Sequence, residues 1–159
     1  MDIFLKLTNI KGESRDEKHK DEISVLGWGW SMNQPTNMHM DGGGGAGKAW
    51  VGDLTFQHYV DRASPTLIVK CLTGEHIKEA VLVIRKAGGA EALEYLKIKM
   101  MDVMVSSVNP YGDSAETMAR AAVALSFSEF YVEYTEQTET GGAGARVAAG
   151  YSMKTNKPK

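Results

Sequence analysis

A single cysteine, Cys71, stands in a chain of 159 residues, so no internal disulfide can form. Folding without disulfides fits a reducing compartment. Proline is scarce, with four residues, and no stretch approaches the roughly 18–20 apolar residues that a membrane-spanning helix requires. Excess charge is also lacking: 18 basic residues face 20 acidic ones, for a net −2. Without a cluster of Lys and Arg there is no electrostatic footprint of a nucleic-acid-binding face. The start, MDIFLKLTNIKGE, has an acid at position 2 and a short apolar run. It has neither the basic start nor the apolar core of a signal peptide. The expected protein is made in the cytoplasm, with no membrane insertion, and leaves the cell only by a route that reads no N-terminal signal. What remains is ordinary: 43% hydrophobic and 24% charged residues, enough for one domain over residues 1–159 with a sizeable core.

One stretch resembles a catalytic motif. Residues 42–48 read GGGGAGK and are followed by Ala49. Gly42, Gly47 and Lys48 match the phosphate-binding pattern G-x-x-x-x-G-K-[ST], but the hydroxyl that would hold magnesium is missing. The pattern also demands a strand before the glycines and a helix beginning at the lysine. Met38-His39-Met40-Asp41 is a poor buried strand, and Ala49-Trp50-Val51-Gly52-Asp53 leads into a strand. A glycine loop is the better reading of the run.

The periodicity predicts mostly strands. Ile3, Leu5 and Leu7 alternate with Phe4, Lys6 and Thr8. Residues 11–22, dense in charges of both signs, read as a solvated loop. Residues 22–32 read as a second strand, with Ile23 and Val25 on one face and Leu26, Trp28, Trp30 and Met32 on the other; Gly27 and Gly29 ease the bend between them. An extended loop covers 33–50. Residues 51–61 alternate again, with Leu54, Phe56, His58 and Val60 together. Ser64-Pro65 reads as an N-cap and first helical residue, and Leu67, Ile68, Cys71 and Leu72 recur at helical spacing, so one helix is expected over 64–74 with Gly74 as its C-terminal glycine. Residues 75–87 fit a helical stripe or a β-branched strand. Residues 95–107 form a long strand whose parity changes at Met100-Met101; 109–113 read as a turn. Residues 115–124 are helical by composition, but the alternation of Val123, Leu125 and Phe127 argues for a strand, continued on shifted parity by Phe130, Val132 and Tyr134. Val147, Ala149, Tyr151 and Met153 mark a final strand, and 155–159 a frayed tail. Parity shifts in three strands suit a sheet that turns corners. The predicted fold is mainly β: a small curved β-barrel of two sheets with one flanking helix.

No constellation for catalysis emerges, and neither a cofactor nor a metal site is expected. His19, His39, His58 and His76 are widely spaced, and nothing resembles C-x-x-C or H-E-x-x-H. Met38-His39-Met40 offers soft ligands but reads as an exposed or interface segment. Cys71 lies on the helix's apolar stripe and reads as a core thiol, and His58 as a core or interface histidine.

The run GEHIKEAVLVIRKAGGAEALEYLKIKMMDVMVSSV, residues 74–108, resembles the Hcp family, the haemolysin-coregulated proteins that form the inner tube of type VI secretion systems. The flanking segments DIFLKLTNIKGES, ISVLGWGWSMNQP, Ala63-Ser64-Pro65, LSFSEFYVEYTEQ and RVAAGYSMKTNK carry the resemblance along nearly the whole chain. It implies a β-barrel of two sheets with a flanking helix, and strands at 75–87 and 117–127. It also implies a non-enzymatic subunit that forms homohexameric rings. Such rings stack into a tube within a sheath, are secreted with a tip protein, and carry small effectors. Ending at Lys159, the chain is expected to hold no effector domain. By the same resemblance, contacts between copies fall on the long loop, with Met38, His39, Met40, Gly44, Lys48 and Trp50 as candidates. The channel and cargo candidates are Trp30, Ser31 and Met32. Two other readings compete: a stand-alone ligand-binding barrel, and a nucleotide-binding enzyme using Lys48.

Overall fold

A computed structural model describes residues 1–36, 48–86 and 91–159. Twelve strands and one helix are present among them: β1 (Asp2–Leu7), β2 (Ile23–Ser24), β3 (Gly27–Gly29), β4 (Met32–Asn33), β5 (Trp50–Val51), β6 (Leu54–Tyr59), α1 (Ser64–Thr73), β7 (Ile77–Lys86), β8 (Leu93–Tyr111), β9 (Arg120–Ser126), β10 (Glu129–Gln137), β11 (Ala143–Ser152) and β12 (Lys157–Pro158). One sheet runs β12-β11-β10-β8-β7-β1-β2, and a second runs β3-β6-β9-β8. All the pairings are antiparallel.

The 19-residue strand β8 belongs to both sheets. Its inward residues are Ile98 and Met100, then Val103 and Val105, so the parity changes between Met100 and Val103. Asp102 makes the change, with φ 55°. This left-handed conformation is uncommon for a residue with a side chain. Its carboxylate is held by His76 Nδ1 at 2.6 Å and Lys154 Nζ at 3.1 Å. Those two partners, His76 first, keep the Asp102 carboxyl below its ordinary range.

The second crossing is at Val25 and Leu26. The Val25 N–H donates to Ile3 O at 2.9 Å in one sheet, and the Leu26 N–H to Gln57 O at 2.7 Å in the other. The hydrogen-bonded path is thus not a closed ring, but the chain itself joins the two sheets at this corner. Residues 22–32, expected as one strand, are therefore three short ones. Leu26 and Met32 are exposed, whereas Trp28 and Trp30 pack against the core.

The core fills the space between the sheets, with Leu5, Ile23, Leu54, Phe56, Leu82, Ile98, Met100 and Leu125 wholly buried. α1 packs on β8 and buries Ser64 and Leu67. It starts one residue earlier than its sequence suggests. Ala63 is the N-cap and offers no side-chain cap; its own N–H donates to Asp61 Oδ1 at 2.9 Å. Gly74 closes the helix at φ 67°, its N–H bonded to Lys70 O. The predicted apolar stripe divides. Leu67 is buried and Cys71 partly so, whereas Ile68 and Leu72 face solvent.

Three further expectations change. Residues 109–111 extend β8 instead of turning, and Pro110 is tolerated because β8 pairs there with β9 alone, which leaves its other edge free of ladder bonds. The tail pairs Lys157 and Pro158 with Ser152 and Tyr151. Residues 11–22 are not merely solvated: His19 is buried, stacked on Phe4 at 4.3 Å, with Nδ1 2.7 Å from Glu22 and Nε2 2.7 Å from Glu94. Phe4 points away from the core, and this loop is what covers it. Burial alone would raise the Glu94 carboxyl, but hydrogen bonds from His19 and Lys97 outweigh it and hold the group low.

The same loop is fastened by Arg85, which donates to Asp16 at 3.1 and 2.5 Å and to Asp2 at 3.0 Å. The Arg85 hydrogen bond lowers the Asp16 carboxyl to about 2. An unfolded Asp titrates near ~3.9, so this contribution is whole above about pH 4 and is lost as pH falls toward 2. Asp16→Asn is expected to flatten the fall of melting temperature across that window. A profile as steep as that of the unmodified protein would show that the clamp is not its source.

Candidate assembly and cargo surface

Trp30, Ser31 and Met32 follow β3 directly and have different surroundings. The Trp30 indole donates to Gly52 O at 2.9 Å and meets Phe130 and Phe127 edge-on at centroid distances of 4.8 and 5.8 Å. Trp30 is half-buried, with its polar tip satisfied and its body packed. Ser31 is exposed, and its carbonyl accepts the Gly52 N–H at 2.8 Å. Met32 is 51% exposed.

Met32 and Asn33 pair with Val51 and Trp50, so β4 and β5 form the root from which the long loop springs. Trp50 is 52% exposed, and its ring lies across Gly52, where an added Cβ would come within 2.7 Å of the indole. Any side chain at position 52 would push the ring away. Met32, Asn33, Ala49, Trp50, Phe130 and Tyr151 line an open groove of about 360 Å³. The Tyr151 hydroxyl bonds Asn156, which ties the C-terminal turn to this wall.

The groove thus unites one cargo candidate, Met32, with one loop candidate, Trp50. Lys48 is exposed just before it, while Met38, His39, Met40 and Gly44 lie outside the described residues. Phe130 and Tyr151 were missing from the sequence-derived set. The alternation placed each of them in a strand, but nothing in it showed that their end of the sheet is left half-covered.

Among the described residues the groove's lining contains no carboxylate, histidine or lysine. It can hold apolar side chains by contact. Lys48 and Ala49 run directly into β5, so no helix N-terminus faces a phosphate there. His58 is buried beside Phe56, 3.7 Å from Asp61. Among the described residues no three His, Cys, Asp or Glu side chains group as a metal site would, and no helix is long and apolar enough to cross a membrane.

The family described as "Type VI secretion system effector, Hcp" matches residues 4–134. The chain is 43% identical to Protein hcp1 of Pseudomonas aeruginosa over 157 residues, covering 98% of this chain and 97% of that one. Among solved structures it is similar to Hcp1 from Salmonella typhimurium, with 45% identity, a TM-score of 0.83 and coverage of 99% and 98%. It is also similar to a structure described as a type six secretion system protein, with 30% identity, a TM-score of 0.93 and 99% coverage of each chain.

Proposed function

The chain belongs to the Hcp family of type VI secretion proteins, and from that premise we propose that it is a structural tube subunit, not an enzyme. Copies assemble into hexameric rings, the rings stack, and the assembly is secreted without a signal peptide while carrying effector proteins. Its partners are its own copies, the sheath and tip of the secretion apparatus, and small effectors. The observation that carries this reading is the half-exposed pair Met32 and Trp50 over a groove whose described lining carries no charged side chain. Exposed Met and Trp at one place favour apolar partners of varied shape.

Within this reading the loop rooted at β4 and β5 serves contacts between stacked rings, with Lys48 and Trp50 at its base. Met32 and Ser31 serve cargo. Trp30 supports them from beneath and does not itself touch cargo. Deleting residues 42–47 is expected to leave the barrel's melting temperature nearly unchanged and to stop tube growth, seen as single rings in electron micrographs. Tubes of ordinary length from the shortened protein would reduce the glycine run to a spacer, and micrographs of the unmodified protein without rings would overturn the reading.

A further inference from the structure

Residues 11–22 form a strap over the outer face of the larger sheet. Phe4 and Val83 sit opposite each other on that face, outside the core between the sheets, yet both are buried. The strap is folded on itself by backbone bonds. The Gly12 N–H donates to Asp21 O at 2.8 Å, and the Ser14 and Asp21 N–H groups donate to Glu22 O and Ser14 O at 2.9 Å. Side chains tie it to the sheet: Arg85 on β7 holds Asp16, and His19 holds Glu94 on β8.

The His19 clasp carries one proton more than its separate parts supply. The ring is 6% exposed and lies flat on Phe4, with centroids 4.3 Å and planes 8° apart. Nδ1 is 2.7 Å from Glu22 Oε2, and Nε2 is 2.7 Å from Glu94 Oε1. At that distance each contact is a hydrogen bond, with a hydrogen between its two heavy atoms. A neutral imidazole has one N–H, and an ionised carboxylate has none to give. Two bonds take two hydrogens, and a neutral ring facing two carboxylates supplies one. The surroundings favour the extra positive charge. Glu22 faces the ring from the strap, Glu94 and its partner Lys97 from β8, and Arg85 from β7, over the same Phe4 ring at 5.0 Å and bonded to Asp16 and Asp2. Acids outnumber bases in that set. Lys18 and Glu91 add a balanced pair at 3.8 Å.

We infer that the strap is a proton-gated latch: closing it takes up one proton, held among His19, Glu22 and Glu94, and losing that proton releases residues 11–22 from β1 and β7. The latch lies within a single subunit and does not depend on the ring. Above about pH 7 a separated imidazole and two carboxylates hold no such proton. Without it, one ring nitrogen turns a lone pair toward a carboxylate 2.7 Å away, and a bond becomes a repulsion. Opening then bares Phe4 and Val83. A step that releases one proton becomes easier by about tenfold for each unit that the pH rises. Asp16, lowered to about 2 chiefly by its Arg85 bond, stays ionised throughout, so the second clasp adds no such slope.

Hydrogen exchange read by mass spectrometry tests the latch between about pH 7 and pH 9, above the ordinary range of histidine. The protection factor of residues 12–22, from which the ordinary pH dependence of exchange has been divided out, is expected to fall by about tenfold per pH unit. That of β7 and β8 is expected to stay level. Glu94→Gln supplies the control. Its side-chain amide can donate to Nε2 of a neutral ring whose Nδ1–H goes to Glu22, so the strap shuts without an extra proton. Protection in that variant is expected to be independent of pH. Level protection of the strap in the unmodified protein would overturn the latch. So would a Glu94→Gln strap that keeps the tenfold slope, because the proton would then come from another group. The first of these results is read on the unmodified protein and stands even if the variant does not fold.

Discussion

Leu82→Ala is expected to remove about 3 kcal/mol of stability, within the range for buried leucines truncated in a core that relaxes little. Leu82 is wholly buried on β7, between Leu5 on β1 and Ile98 on β8. All three strands carry inward neighbours on both sides, so the cavity cannot collapse. Against a total of roughly 5–15 kcal/mol for a domain, the loss is large. The melting temperature should fall by about 10 °C at roughly 2–4 °C per kcal/mol. Val147→Ala supplies the contrast. It lies on the same face of the same sheet, but at the exposed end. In a dissociated subunit it should change stability by no more than about 0.5 kcal/mol. Equal losses at both positions would contradict a gradient from buried to exposed residues along that face.

Trp30→Ala is expected to cost about 3 kcal/mol, because the indole packs against Phe127 and Phe130 and its N–H satisfies Gly52 O. Trp30→Phe keeps most of the packing and gives up the hydrogen bond, for about 1 kcal/mol. Both effects are read as shifts of the denaturant midpoint. The comparison separates two roles that Trp30 can have in the sequence. A residue reserved for cargo would leave the midpoint where it is, as Met32→Ala should. A wedge beneath the groove moves it, and takes the Phe130 wall of the groove with it.

Much of the architecture was legible because period-two alternation records which face of a strand is buried. The parity shifts gave the bends before any coordinates, and the change in β8 falls at Asp102, one position beyond Met100-Met101. Alternation does not report how far a covering layer extends. Val147 alternates with its neighbours just as the buried residues of β1 do, yet it is 68% exposed. Charge density misled in the same way at residues 11–22. Most of the acids and bases there do face water, but Asp16 is held by Arg85, Glu22 bonds His19, and His19 turns back to stack on Phe4. For the candidate surface, Met32 and Trp50 were named from sequence and share the groove. Trp30 was named beside them but lies underneath. Phe130 and Tyr151 are opposite each other on β10 and β11 and enter only because that pair lies beside β4 and β5, which are far away in the chain and which no local pattern encodes.

The central claim is that the chain is a subunit of a ring. Native mass spectrometry of the unmodified protein, taken across a wide concentration range, tests it most directly. The account predicts a dominant species at six times the 17.3 kDa chain mass. A single species at 17.3 kDa at every concentration would contradict it.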